Sequence, residues 1–280
     1  ISKDMIKGDM LLNLDSEDDG EIFVGCAGGI DTTADFTYHR SYTPEGFSYM
    51  KVSVSGLLGG HSGSDINAGR ANANKMIARF IWECSQQWDI TVCSIEGGNL
   101  RNAIPREAYA VFGVHSDHKE ELKHKLKKYY EDILNEYKGI EPSMDLRVEK
   151  CERPEYCLDS ETSIALVRAI YSAPHGVVSM SHDIEGLVET STNLASVKIV
   201  DDHTIRITTS QRSSVESRKN DIAGQVEAHF QLAGAKVYHS DGYPGWAPNM
   251  DSRIMKTTAD AYQEPVSYTH LRAHETVLDL

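Results

Sequence analysis

Residues 47–65 read FSYMKVSVSGLLGGHSGSD, and the fold class turns on them. From Phe47 to Gly56 apolar and polar residues alternate. Met50, Val52 and Val54 fall on one face, Lys51, Ser53 and Ser55 on the other. A period of two belongs to a strand with one buried face. The alternation stops at Gly59-Gly60-His61-Ser62-Gly63, which is too rich in glycine for the interior of an element. Beyond it, Ile77, Phe80 and Ile81 recur at helical spacing and predict a helix over 68–88. A histidine is thus set in an open loop between a strand and a helix.

Working outward, strands are expected over 90–95 and 107–114. Leu122, Leu126, Tyr130, Ile133 and Tyr137 form an apolar stripe that predicts a helix over 119–137. Further on, a helix fits 161–171. Strands fit 194–199 and 204–209, turned at Asp201-Asp202. A helix over 215–232 ends at Gly234, which suits a left-handed cap, and a strand fits 235–239. Upstream, the apolar run at 10–14 reads as a buried strand, and a second strand over 21–25 is closed by Gly28-Gly29. The whole is α+β: two successive units of strands packed by helices, with one short echo between residues 102–105 and 193–196.

The chain has 280 residues and a formal net charge of -14, from 42 acidic and 28 basic side chains. Domains commonly run to roughly 100–200 residues, so two are expected. No apolar run approaches the ~18–20 residues of a membrane span. The acidic balance argues against a nucleic-acid backbone binder, but an Arg or a metal can still hold an anion locally. Five scattered cysteines with no CxxC argue against a disulfide framework and fit a reducing compartment. No signal peptide is visible, which carries little weight in a chain that opens with Ile1.

Several residues could carry chemistry. Asp15 ends an expected strand and opens an acidic run; it is either a metal-ligating carboxylate or a solvated turn. An EF-hand is not expected, because its twelfth position would be Cys26 rather than Glu. His61 could bind a metal, donate to an oxyanion or shuttle a proton, or be an ordinary loop residue. Arg212 follows a strand, where it could fork onto a carboxylate. Asn102 and Asn193 precede strands, where an amide caps a turn or orients a ligand. HExxH, GxSxG, GxGxxG and Walker sequences are all missing, and the other histidines read as ordinary polar residues.

Five segments occur in a telling order: NLDSEDDGEIFVGCAGGID, GLLGGHSGSDINAGRANANK, GGNLRNAIPREA, GLVETSTNLASV and GAKVYHSDGYPGW. Together they resemble the aminoacyl-histidine (Xaa-His) dipeptidases, bacterial relatives of carnosinase among the dizinc exopeptidases. The resemblance covers about residues 5–265. It implies an α/β zinc-exopeptidase catalytic domain, fragmentary here, with an inserted, doubled α+β lid domain. Residues 1–25 and 243–265 would be catalytic-domain pieces and 26–242 the lid. It further implies that Asp15 is a zinc ligand, that His61 stabilises the tetrahedral intermediate, and that Arg212 binds the free carboxylate of a dipeptide. Asn102 and Asn193 would lie near that substrate.

The same resemblance implies two zinc ions per site, a cytoplasmic enzyme, and neither a nucleic-acid nor a membrane partner. Whether it is a monomer or a homodimer stays open. The family's other metal ligands and its general base are missing from the sequence, so this chain alone is expected to be inactive. Residues 266–280 resemble a translated adaptor read-through and are expected to be a non-native scar. The rivals are another dizinc peptidase or aminoacylase, and a non-catalytic α+β binding module.

Overall fold

The computed structural model describes residues 7, 8, 10–14, 21–263 and 270–274. In chain order the elements begin with β1 (Glu21–Cys26), β2 (Gly28–Thr37), β3 (Arg40–Tyr42), β4 (Phe47–Ser55) and β5 (Gly60–His61). There follow α1 (Ala73–Ser85), β6 (Ile90–Gly97), β7 (Ala103–Ile104), β8 (Ala108–His115), α2 (Lys119–Glu136), β9 (Asp145–Lys150) and β10 (Tyr156–Leu158). Next come α3 (Ser160–Ser172), β11 (Gly176–Met180), β12 (Val188–Asp201), β13 (Thr204–Ser213) and α4 (Glu216–Leu232). The last are β14 (Lys236–His239), α5 (Arg253–Gln263) and β15 (His270–His274).

One mixed sheet dominates, in the order β14-β2-β13-β12-β6-β8-β4-β9, with β11 also paired to β12. It divides into two units of identical topology. The first runs β4-α1-β6-β8-α2-β9 and stacks its strands as β6-β8-β4-β9. The second runs β2-α3-β12-β13-α4-β14 and stacks them as β12-β13-β2-β14. Each is the βαββαβ arrangement. The expected doubling is therefore present, but the units are nested rather than successive, because the first is inserted between β2 and α3 of the second. The sequence reading had no strand at 28–37, so the nesting was invisible to it. Gly28-Gly29 does not close a strand but begins β2.

The two units join edge to edge through β6 and β12, with Val197 opposite Gly97. Their equivalent helices α1 and α3 pack together over this seam. One core runs beneath the helices. In the first unit Phe80 meets Phe112 edge-on at 6.1 Å and Tyr129 at 5.2 Å; in the second Phe36 meets Phe230 at 6.3 Å.

Most helices match their expected positions, with two differences. α1 starts at Ala73 rather than 68, because Asn72 accepts from the Lys75 N–H and caps it. In α2 the deeply buried aromatic is Tyr129, not Tyr130, and its hydroxyl donates to the Met76 carbonyl at 2.7 Å. Residues 10–14 are a correction. They form no strand, and Met10, Leu11, Leu12 and Leu14 are 59–91% exposed. A continuous apolar run is buried only when a neighbouring strand receives it, and no described strand does. Inside the segment expected to be a scar, β15 pairs in parallel with β1.

The seam requires glycine. Gly98 has φ +72°, and a Cβ there would run into the Ala195 carbonyl of β12. Gly98→Ala is expected to lower unfolding free energy by about 1–3 kcal/mol, as for other left-handed sites held by their surroundings. Urea denaturation followed by circular dichroism measures it; an unchanged midpoint would show that the seam tolerates a side chain.

Candidate active site

The site is built where the two units meet. β4 ends at Ser55, and the loop after it is clamped by the buried carboxylate of Glu141. Its two oxygens accept from the N–H groups of Leu58 at 2.8 Å and Ala71 at 2.9 Å, so both ends of the loop hang on one side chain. Within that loop His61 pairs with Ala103 in the short β5–β7 ladder. Its backbone N–H also donates to Asp65 Oδ2 at 2.8 Å, and Asp65 is held in turn by Arg70 at 3.1 Å. The histidine backbone is therefore fixed on both sides before any ligand arrives.

The second unit supplies the rest. Asn193 is fully buried on β12, and its Nδ2 donates across the seam to the Ala103 carbonyl at 2.8 Å. Arg212, on β13, is 5% exposed. Its Nη1 donates to the Tyr243 hydroxyl at 3.2 Å, and its Nη2 lies 3.5 Å from His61 Nε2. Asn102 joins through its backbone, whose carbonyl accepts from the Ser62 N–H at 2.8 Å. His61, Asn102, Asn193 and Arg212, which the sequence reading singled out separately, thus lie in one cluster. The stretches around Asn102 and Asn193 are not equivalent repeats; they touch each other through Ala103.

The imidazole lies between the two units. The Ser64 backbone N–H and hydroxyl both lie 3.3 Å from His61 Nδ1, and Arg212 Nη2, from the second unit, lies 3.5 Å from His61 Nε2. Two further buried atoms, Ser62 Oγ and Asn193 Oδ1, have no hydrogen-bond partner among the described residues.

Three contributors were not legible beforehand. Tyr243 stood only in a stretch marking the end of the lid. Glu141 carries no motif or periodic signal. His175 was set aside as ordinary, yet its Nδ1 accepts from the Leu194 N–H at 3.3 Å, beside Asn193, and lies 3.5 Å from Asn72 Nδ2. Asn72 in turn donates to the Leu194 carbonyl at 2.8 Å, so both backbone groups of Leu194 are held by side chains. Burial, assisted by the Lys75 charge, pushes the His175 imidazole down to about 4.

Asp15 lies outside the described residues. Among the described residues no three His, Cys, Asp or Glu side chains gather where they could hold one metal ion. They therefore do not by themselves fit a dizinc centre.

Residues 52–141 match the family described as a peptidase dimerisation domain. The first unit occupies nearly the same span. Over 258 residues the chain is 36% identical to the cytosol non-specific dipeptidase of Escherichia coli (strain K12), covering 92% of this chain and 53% of that protein. The crystal structure of aminoacylhistidine dipeptidase from Vibrio alginolyticus superposes with a TM-score of 0.92 at 35% identity, over 98% of this chain and 56% of that one. Over the matched residues the chain is similar to these dipeptidases, and it spans about half the length of the relatives it matches.

His175 gives the site a measurable pH dependence. Its pKa is lower folded than unfolded, so its contribution is whole above about pH 6.5 and is lost as pH falls toward 4. Between pH 7 and pH 5 that loss is expected to be about 2 kcal/mol. Urea unfolding at the two pH values, for the native chain and for His175→Gln, isolates it. The glutamine variant should start less stable and show a correspondingly flatter pH profile; parallel profiles would refute the assignment.

Proposed function

We propose that this chain supplies the substrate-gripping lid of a metal-dependent dipeptidase that releases histidine from Xaa-His dipeptides. The observation that carries the reading is the meeting of His61 Nε2 and Arg212 Nη2, 3.5 Å apart, at the junction of the two units. A charge-assisted bond from a guanidinium to a carboxylate is among the stronger hydrogen bonds. Along the main chain only the C-terminus offers a free carboxylate, so an arginine that grips one there selects for exopeptidase action. The imidazole N–H, held by Ser64 and the β5–β7 ladder, can donate to charge that develops on a carbonyl oxygen. Asn193 Oδ1 is a buried acceptor beside these donors and suits an N–H of the ligand.

Zinc, two ions per site, is the metal this reading implies. When bound, it would lower the pKa of a water toward neutrality. Asp15 and residues beyond this chain would have to hold it. The 280-residue chain alone is therefore expected to be inactive and to bind no zinc pair tightly. Two tightly bound zinc ions in a calorimetric titration would overturn that expectation.

His61 and Arg212 come from one chain. Such a contact between equivalent units is what a two-fold dimer would otherwise provide. The lid therefore needs no second copy, and a monomer is the proposed state, checked by light scattering across a range of concentrations. A cytosolic setting is proposed too. It fits the name of the Escherichia coli relative and the five free cysteines.

The deciding experiment uses the complete enzyme encoded by the parent gene, expressed with zinc. It should hydrolyse β-alanyl-histidine and other Xaa-His dipeptides; inactivity on the whole panel would reject the reading. Arg212→Ala should lower kcat/KM by about 10- to 100-fold for free dipeptides. It should change hydrolysis of their C-terminal amides by less than about twofold, since these lack the anion.

A further inference from the structure

We propose that Asp65 and Arg70 are positioning residues for His61. As one clamp they hold the peptide groups on either side of Gly60, and so fix where the imidazole stands. This rests on the function proposed above and adds two residues to it. The clamp closes a ring. Arg70 Nη1 donates to the Gly59 carbonyl at 2.6 Å, and Arg70 Nη2 pairs with Asp65 Oδ1 at 3.1 Å. The other carboxylate oxygen, Asp65 Oδ2, accepts from the His61 N–H at 2.8 Å. The carbonyl before Gly60 and the N–H after it are thereby joined through one ion pair. A guanidinium is planar and a carboxylate presents two oxygens, so the pair sets an angle as well as a distance.

Asp65 also takes the other main-chain group of His61, because its backbone N–H donates to the His61 carbonyl at 3.2 Å. The β5–β7 ladder leaves both groups to it. The Ser62 N–H bonds the Asn102 carbonyl across that ladder at 2.8 Å. Successive residues of a strand turn their N–H and C=O to opposite edges, so those of His61 point away from β7 and toward Asp65. The glycine follows from the same ring. Gly60 has φ +131°, which residues with a side chain rarely adopt, and a Cβ there would collide with Arg70 Nη1 and Asp65 Oδ2. The clamp fills the space in which a side chain would stand, so Gly60 serves the approach of an ion pair to the backbone. The two charges cancel, and the clamp adds no net charge beside the imidazole. The loop thus divides its tasks: Glu141 closes the neck, and Asp65 with Arg70 shapes the tip.

The test has two arms. In the 280-residue chain, made with isotope-labelled histidine, NMR reads the ring signals, and His61→Gln identifies the one that belongs to His61. Asp65→Ala and Arg70→Ala should each shift or split that signal and leave the other eleven histidines in place. Asp65→Asn keeps an acceptor for the His61 N–H but loses the charge that holds Arg70, so it should move the signal less than Asp65→Ala. In the complete enzyme, Asp65→Ala should lower kcat for β-alanyl-histidine by about tenfold and change KM by less than about twofold, at an unchanged melting temperature. A His61 signal unmoved in both alanine variants would overturn the clamp. Histidine signals that all move together, with a falling melting temperature, would overturn it in favour of packing alone. A native kcat for Asp65→Ala, in an enzyme that His61→Ala inactivates, would overturn the positioning role and leave the function reading intact. An enzyme that keeps full activity as His61→Ala would overturn the function reading, and with it the clamp's part in the reaction.

Discussion

The junction between β6 and β12 is the constraint on which the molecule depends. Two sheets meet there edge to edge, yet the backbone ladder contributes one paired position, Val197 with Gly97. Unpaired sheet edges are costly when buried and sticky when exposed. Here side-chain amides finish what the ladder leaves undone. Asn72 donates from the inserted unit to the Leu194 carbonyl, and Asn193 donates back to the Ala103 carbonyl. Asn72 also caps α1, so one residue starts a helix and stitches two units. His61 and Arg212 can meet because of this stitching.

An acidic protein proposed to recognise an anion looks contradictory until the charges are located. The formal charge of -14 is a property of the whole surface. In the site, Glu141 is spent on two backbone N–H groups, and Asp65 on the His61 N–H and on Arg70. The acids there act as structural acceptors, and the side chains brought together at the junction are an imidazole and a guanidinium. A local field is set by the few groups within a Debye length, about 8 Å at physiological salt, rather than by net charge.

What the sequence disclosed follows from how local each signal is. The alternation at 47–56 is readable because α1 covers one face of β4 and the other face stays polar. β2 was unreadable because Thr32, Ala34 and Phe36, its core-facing positions, include only one large apolar residue. Its partner β13 lies more than a hundred and fifty residues away, and pairing at that distance leaves no periodic trace. His61 and Asn193 stood out through their glycine-rich or strand-entry contexts. Tyr243 did not, because its contact is with a guanidinium on another strand. The α2 stripe was read correctly, since Leu122 and Ile133 are buried and Leu126, Tyr130 and Tyr137 pack against the core; it missed only Tyr129, whose burial is marked by its bond to the Met76 carbonyl.

The nesting of one unit inside the other also sets an order of assembly. The inserted unit is contiguous in the chain, so it can fold while its successor is still being synthesised. β2 leaves the ribosome before all of it but finds its partner strand only after β13 has emerged. Until then β2 is an unpaired strand waiting beside a finished neighbour, a slow long-range closure of the kind that raises contact order and exposes a chain to aggregation. The polar character of β2, with Thr and Asp at half its positions, keeps that waiting strand soluble.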